Sequence, residues 1–324
     1  MILFKDGSSE KYSKLLIASG AERQKTKMDD FENVYSLNSV HDHAKIYNAV
    51  KNAKSVMVYG SSFEAYELTS SIKELADSLG KKDMQIYLLE PPPSEIMRSF
   101  GEDVHKIIKA FMYIAGVKVL SGYTIDNVKS KPGTLDLGLV MLSSTDSDSN
   151  VPLNPDVVIT EMNLGDAKLP LNNLYFDPRG KFNPSIMENN VCSVDGLFSL
   201  QYKNLYSTLF AAGTCAMIAS INKENNFRQL DAFYEVDSGF YAGLNMINKR
   251  VGARTSWLTL ESPQTVIPMT CFDVLGNKFA YIGERDPIYT DVIVEGELAS
   301  MKFIVYLYNL ERQKNSKTKN FHDQ

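Results

Sequence analysis

The sequence predicts an α/β fold organised around one βαβ unit. Three observations carry it. An apolar run, Ser55-Val56-Met57-Val58-Tyr59, ends at Gly60. A helical pattern then opens at once and passes Leu68, Ile72, Leu75 and Leu79 on its way to Gly80. A second apolar run, Gln85-Ile86-Tyr87-Leu88-Leu89, ends on the acid Glu90. Strand, glycine turn, helix, strand, acid is the order of a dinucleotide-binding unit.

The glycine code of that unit is altered. Where G-x-G-x-x-G is expected, the chain has Gly60, Ser62 and Ala65. The first glycine makes the tight turn and is kept. The third lets helix and strand pack closely, and alanine is tolerated there. The second lets the backbone approach a pyrophosphate, and Ser62 puts a Cβ in the way. Glu64 adds a carboxylate to the first helical turn, where free N–H groups would attract an anion. A weakened or lost nucleotide site and a βαβ unit that never held one both fit these residues.

Composition narrows the field. The chain has 324 residues, enough for about two domains on a prior of roughly 150 residues each. Hydrophobic residues make up 44% and charged residues 23%, as in ordinary soluble globular proteins. The net charge of −5 and the lack of a basic stripe argue against nucleic acid or acidic lipid as partner. Arg312, Lys314, Lys317 and Lys319 read as a solvated tail. Cys192, Cys215 and Cys271 are odd in number and far apart, which fits a reducing, intracellular compartment. Cys215 follows a small-residue turn, yet no histidine is close in sequence, so it reads as a small buried side chain. The four histidines have no metal-binding spacing, and His41 and His43 read as surface residues. No run reaches the roughly 18 apolar residues that span a membrane, and the first residues resemble neither a signal nor a transit peptide.

The other elements follow in order. Asp6-Gly7 turns a hairpin that begins with Ile2-Leu3-Phe4. Residues 14–20 read as a buried strand, and a short apolar run lies at Val34-Tyr35. Ser39 or Asp42 caps a helix through Ile46, Tyr47, Ala49 and Val50. Pro91-Pro92-Pro93 stops regular structure. A helix over about 101–115 carries Val104, Ile107, Ile108, Phe111 and Met112 on one face. Strands follow at 117–120, 135–142 and 155–160, with a loop tip at 145–150. A strand over 206–211 leads to the turn Gly213-Thr214-Cys215, and a helix over about 228–248 buries Phe240, Ala242, Leu244 and Ile247. Beyond Gly252 the pattern is strand-like, with an amphipathic segment over 301–310. The aromatic group Tyr281, Tyr289, Phe303, Tyr306 and Tyr308 reads as core and rim.

Five stretches in this order resemble the apoptosis-inducing factor family of pyridine nucleotide-disulfide oxidoreductase-like flavoproteins. Leu16-Ile17-Ala18-Ser19-Gly20 is similar to its I-A-T-G stretch, and residues 60–67 to G-G-G-F-L-G-S-E. Residues 209–216 resemble its second flavin motif, residues 238–246 its S-G-x-x-A-G-x-N-M helix, and residues 257–310 its C-terminal α+β domain. The resemblance implies a Rossmann-like NAD-type domain, 39–165, inserted in an incomplete FAD-type domain, 1–38 and 166–250. A C-terminal α+β domain, 251–312, and a disordered tail, 313–324, complete the expectation. It implies cofactor-binding positions at Gly60, Ser62, Phe63, Glu67, Glu90, Gly213 and Thr214, with Glu90 on the adenosine ribose and Glu67 near the nicotinamide. It assigns no catalytic residue and no metal.

The departures from the family carry the functional expectation. The first FAD-binding βαβ unit is expected upstream of residue 1. Thr214 replaces the aspartate that resembles a ribitol ligand. The Pro after I-A-T-G is missing near Gly20, residues 162–169 lack the Pro of V-G-x-x-P, and residues 230–235 lack the histidine that faces the flavin. The expectation is a degenerate, non-catalytic homologue without bound FAD or NADH. It would be a structural or interaction subunit of a larger assembly, with a protein partner covering the incomplete FAD-type domain. Mitochondrial placement rests on the resemblance alone. The alternative is an FAD-dependent NADH oxidoreductase whose missing FAD-binding half lies upstream or on another chain.

Overall fold

A computed structural model describes residues 2–4, 6–21, 25–37, 39–145, 149–161, 187–188, 191–194, 199–200, 208–218, 232–247, 252–253, 265–266, 269–282 and 291–308. The chain forms two compact units. One comprises residues 25–163, 271–279 and 286–324, and the other 1–24, 164–270 and 280–285.

The first unit is built on a parallel sheet. β1 (Val34–Ser36) leads to α1 (Val40–Asn52), whose start is closed by Asp42 Oδ2 accepting the Ser39 N–H at 2.9 Å. β2 (Ser55–Tyr59), α2 (Phe63–Ser78) and β3 (Gln85–Glu90) are the βαβ unit read from the sequence. The chain continues through α3 (Glu95–Phe100), α4 (Glu102–Ile114) and β4 (Val117–Ser121). An antiparallel trio follows, β5 (Tyr123–Ser130), β6 (Leu137–Ser144) and β7 (Asn150–Leu153), before β8 (Val157–Thr160) returns to the first sheet.

The parallel strands lie in the order β1-β8-β2-β3-β4. Side chains alternate across a strand. Met57, Leu89 and Val158 therefore pack on one face, against Leu137, Val140, Leu142 and Leu153 of the antiparallel layer. Val56, Val58, Ile86 and Leu88 point the other way and are fully or almost fully buried. Asn33 ties the layers together: its side-chain amide donates to Leu137 O at 3.0 Å and Asp156 O at 2.9 Å, and its Oδ1 accepts the Leu137 N–H.

Three features of this unit depart from the sequence reading. Val34-Tyr35, placed outside the NAD-type domain by the 38/39 boundary, form β1 inside its sheet, paired with β8. β5 was not expected, because a register shift between Ile125 and Asn127 breaks the two-residue alternation that marks a strand. α3 forms after the prolines, capped by Ser94 Oγ, which accepts the Met97 N–H. By contact, residues 271–279 and the hairpin Asp291–Glu297/Lys302–Tyr308 group with the parallel-sheet unit. Residues 309–324 and 254–264 lie outside the described residues.

In the second unit, Leu15–Ile17 and Leu209–Ala211 pair in parallel, Leu16 opposite Phe210. Val191–Val194 pairs in parallel with Ala216–Ile218. The Asp6-Gly7 hairpin forms as expected, with Gly7 at φ +87°. α5 (Ala232–Met246) buries Ala242 as expected, but not Phe240 or Ile247. Ser238, Ala242 and Asn245 are buried, whereas Phe240 and Ile247 are exposed. The small side chains let the helix approach closely; Ser238 Oγ reaches the Gly213 N–H at 2.9 Å.

Candidate functional site

β2 and β8 run side by side in parallel, with Thr160 opposite Tyr59. Their carboxyl ends therefore lie together. From β2 the chain crosses through α2 to β3 on one side, while β8 lies on the other. This is the switch point of an open α/β sheet, where ligands bind.

Gly60, Ser61 and Ser62 make the turn from β2 into α2, with Ser62 as N-cap. The first N–H groups of a helix lack partners within it. Here the chain supplies them. Glu161, directly after β8, turns its side chain over the loop. Its Oε1 accepts the Ser61 N–H at 3.0 Å, and its Oε2 accepts the Ser62 N–H at 2.9 Å. The Ser62 hydroxyl donates to the same Oε2. Ser62 Oγ in turn accepts the Ala65 N–H at 3.3 Å, and Glu95 Oε2 accepts the Phe63 N–H at 3.0 Å. Gly60 makes room for this: a Cβ there would lie 2.3 Å from Glu161 Oε2. Glu64, the carboxylate expected to compete with phosphate, is exposed, and Glu161 holds that place instead.

A dinucleotide diphosphate would need these N–H groups and the space over Gly60. Both belong to Glu161, so the residues present do not fit the diphosphate.

Glu90 is also enclosed, at 1% exposure. It accepts from Tyr66 OH at 2.8 Å, lies 2.9 Å from His105 Nε2, and accepts from Ser121 Oγ. Burial alone would raise its carboxyl pKa. The hydrogen bonds from His105, Ser121 and Ser94 and the charge of His105 outweigh that and bring it down to about 2. Tyr66, fully buried beside this carboxylate, is pushed well above its ordinary value by burial first and the Glu90 charge second.

The remaining positions implied by the resemblance are spread over both units. Phe63 is 3% exposed and stacks on Phe272, ring centroids 4.3 Å apart. Glu67 Oε1 accepts the Asp273 N–H at 2.8 Å. In the second unit Gly213 has φ +73° and gives its N–H to Ser238. Buried Thr214 lies beside Gly20, its Oγ1 3.8 Å from where a Gly20 Cβ would stand. Cys215 is buried, its thiol donating to Ile17 O and Ala212 O, and burial raises its pKa. The neighbouring core thiol of Cys192 is pushed up to about 12 by burial. Neither has the thiolate character of a nucleophile. Among the described residues no group of His, Cys, Asp and Glu is arranged to hold a metal, and no helix is long and apolar enough to cross a membrane. Residues 162–169 and the side chains of 231–234, where two family departures were read, lie outside the described residues.

Sequence reasoning missed Glu161, Glu95 and His105. The available signal for Glu161 was an acid directly after a buried strand, but its meaning depends on which strand lies next to it.

Residues 3–160 match the pyridine nucleotide-disulphide oxidoreductase family. Mouse apoptosis-inducing factor 3 is 24% identical over 312 residues, which cover 94% of this chain and 44% of that protein. The chain is thus similar to the apoptosis-inducing-factor-like oxidoreductases. It spans less than half the length of that relative. A Dictyostelium discoideum protein named apoptosis-inducing factor 1, mitochondrial, is 28% identical over 144 residues, 43% of this chain and 26% of that one. Among solved structures, the fold matches the covalent putidaredoxin reductase–putidaredoxin complex with a TM-score of 0.72 at 16% identity, covering 95% of this chain and 66% of that one. The ferredoxin reductase for the CYP199A2 system of Rhodopseudomonas palustris gives a TM-score of 0.70 at 16% identity, covering 95% and 67%. The mixed α/β fold of this apoptosis-inducing-factor-like chain is thus that of the FAD/NAD oxidoreductases.

Proposed function

We propose that this chain is a degenerate, non-catalytic member of its oxidoreductase family and serves as a structural or interaction subunit of a larger assembly. One observation carries the reading: the Glu161 carboxylate lies in the turn of α2, hydrogen-bonded to the Ser61 and Ser62 N–H groups. Hydride transfer from a nicotinamide to a flavin asks the protein for binding, ring stacking and exclusion of water. A loop whose donors serve the chain's own carboxylate offers no diphosphate binding. An enclosed Glu90 offers no acceptor for ribose hydroxyls. Under this reading the chain works without FAD or NADH.

A protein partner is supported by α5, which leaves Val236, Phe240 and Ile247 exposed along one helical stripe. Mitochondrial placement is supported by the name of the Dictyostelium discoideum relative.

The test is a visible absorption spectrum of the purified full chain, followed by NADH titration. The expected result is a folded circular dichroism signal, no flavin band and no saturable response to NADH. A flavin band that bleaches with NADH would overturn the reading and establish the FAD-dependent NADH oxidoreductase in its place.

A further inference from the structure

Two features of the α2 turn could exclude a diphosphate. One is Ser62, which replaces a glycine of the code and carries a Cβ. The other is Glu161, which occupies the donors. The geometry separates them. Ser62 serves as N-cap, its hydroxyl accepting from Ala65 and its N–H directed at Glu161. Its backbone donor therefore faces the place an anion would take, Cβ or not. Glu161 fills that place: two carboxylate oxygens accept two successive N–H groups, as two oxygens of one phosphate would. Over Gly60 it also takes up space, since its Cγ, Cδ and Oε2 all lie within 2.7 Å of where a Gly60 Cβ would stand. Glu161 is 9% exposed, so this is an interior contact held by the fold.

We propose that Glu161 is a built-in substitute for the dinucleotide diphosphate, and that this one side chain, not Ser62, keeps a diphosphate out. The inference rests on the non-redox reading above. The turn beneath Glu161 is complete: a Gly60 without a Cβ, two successive N–H groups directed at one carboxylate, and the start of a helix of 16 residues. Removing the carboxylate frees those donors and opens the space above Gly60. Glu95, which holds the Phe63 N–H, and exposed Glu64 remain nearby and keep the opened site weak for anions. Millimolar affinity, on the order of 1 mM, is therefore expected, as for a site with few polar partners and adverse charge.

The experiment uses the full chain and inorganic pyrophosphate as probe. Wild type, Glu161→Gly and Ser62→Gly are titrated calorimetrically and melted with and without the anion. Glu161→Gly is expected to bind saturably, with a melting temperature raised by roughly 3 °C at a tenfold excess over Kd. Wild type and Ser62→Gly are expected to show neither. A folded Glu161→Gly that does not bind overturns the inference, as does binding gained by Ser62→Gly. Binding by wild type contradicts the non-redox reading itself, so the two failures are distinct. If circular dichroism shows Glu161→Gly unfolded, Glu161→Ala carries the same test.

Discussion

Glu90 and Gly60 show how two single residues are held by groups far from them in sequence. The Glu90 carboxyl, ordinarily near 4.5, ionises at about 2 in the folded chain. Between those values the unfolded chain binds the proton and the folded one does not. The stabilisation is therefore complete above about pH 4.5 and is lost as the pH falls from there towards 2. Its upper bound is about 3 kcal/mol, from roughly 1.4 kcal/mol per pKa unit. Urea unfolding across this range should show wild type losing stability with acid. Glu90→Gln should be less stable at pH 7 and converge on wild type near pH 2; parallel curves would refute the assignment. Gly60→Ala drives a Cβ to 2.3 Å from Glu161 Oε2, and overpacking of this kind costs about 1–3 kcal/mol. In a Glu161→Gly background the same change should cost less than about 0.5 kcal/mol, and a double-mutant cycle by denaturant unfolding measures the difference.

At the scale of elements, α2 is held at its start by aromatic packing as well as by carboxylates. Phe63 stacks on Phe272, Phe272 stacks on Phe279 at 4.9 Å, and Phe100 meets Phe272 edge-on at 5.9 Å. Offset and edge-to-face pairs add to the burial of the rings themselves. Phe272→Ala is expected to cost about 3–5 kcal/mol, read from the shift in denaturant midpoint. A loss under about 1 kcal/mol would mean that the stack is not part of the core. α1 was legible from its cap and its 3.6-residue spacing, and α2 from its spacing and glycine turn, because these are local properties of the sequence. α5 was legible as a helix but not in its orientation. Phe240 is the larger side chain, yet Ser238, Ala242 and Asn245 face inward, and Ser238 Oγ accepts the Gly213 N–H. Large side chains mark a buried face only where the neighbouring element leaves room for them. β5 was hidden for a related reason: a bulge shifts the alternation that a strand needs in order to be recognised.

For the whole molecule, the family resemblance sets the fold and the altered donors set the function we assign. A purified chain that is folded, without a flavin band and indifferent to NADH is the outcome expected of a scaffold whose switch point is closed from within. The same closure explains why the altered glycine code was an ambiguous sign. Ser62 turned out to be a helix cap, and the decisive carboxylate lies 99 residues further along the chain.

The sequence by itself determined the βαβ order, the glycine turn, the acid at the end of β3 and the family they resemble. These rest on periodicity and turn chemistry, which act over a few residues. Only the tertiary structure decided how the carboxylates are used. Parallel pairing sets the end of β8 beside the end of β2, which brings Glu161 onto Gly60 and the start of α2. The packing of α4 against the sheet likewise brings His105 onto Glu90. Strand order is fixed by long-range burial, and no local pattern records which strand end will stand beside which.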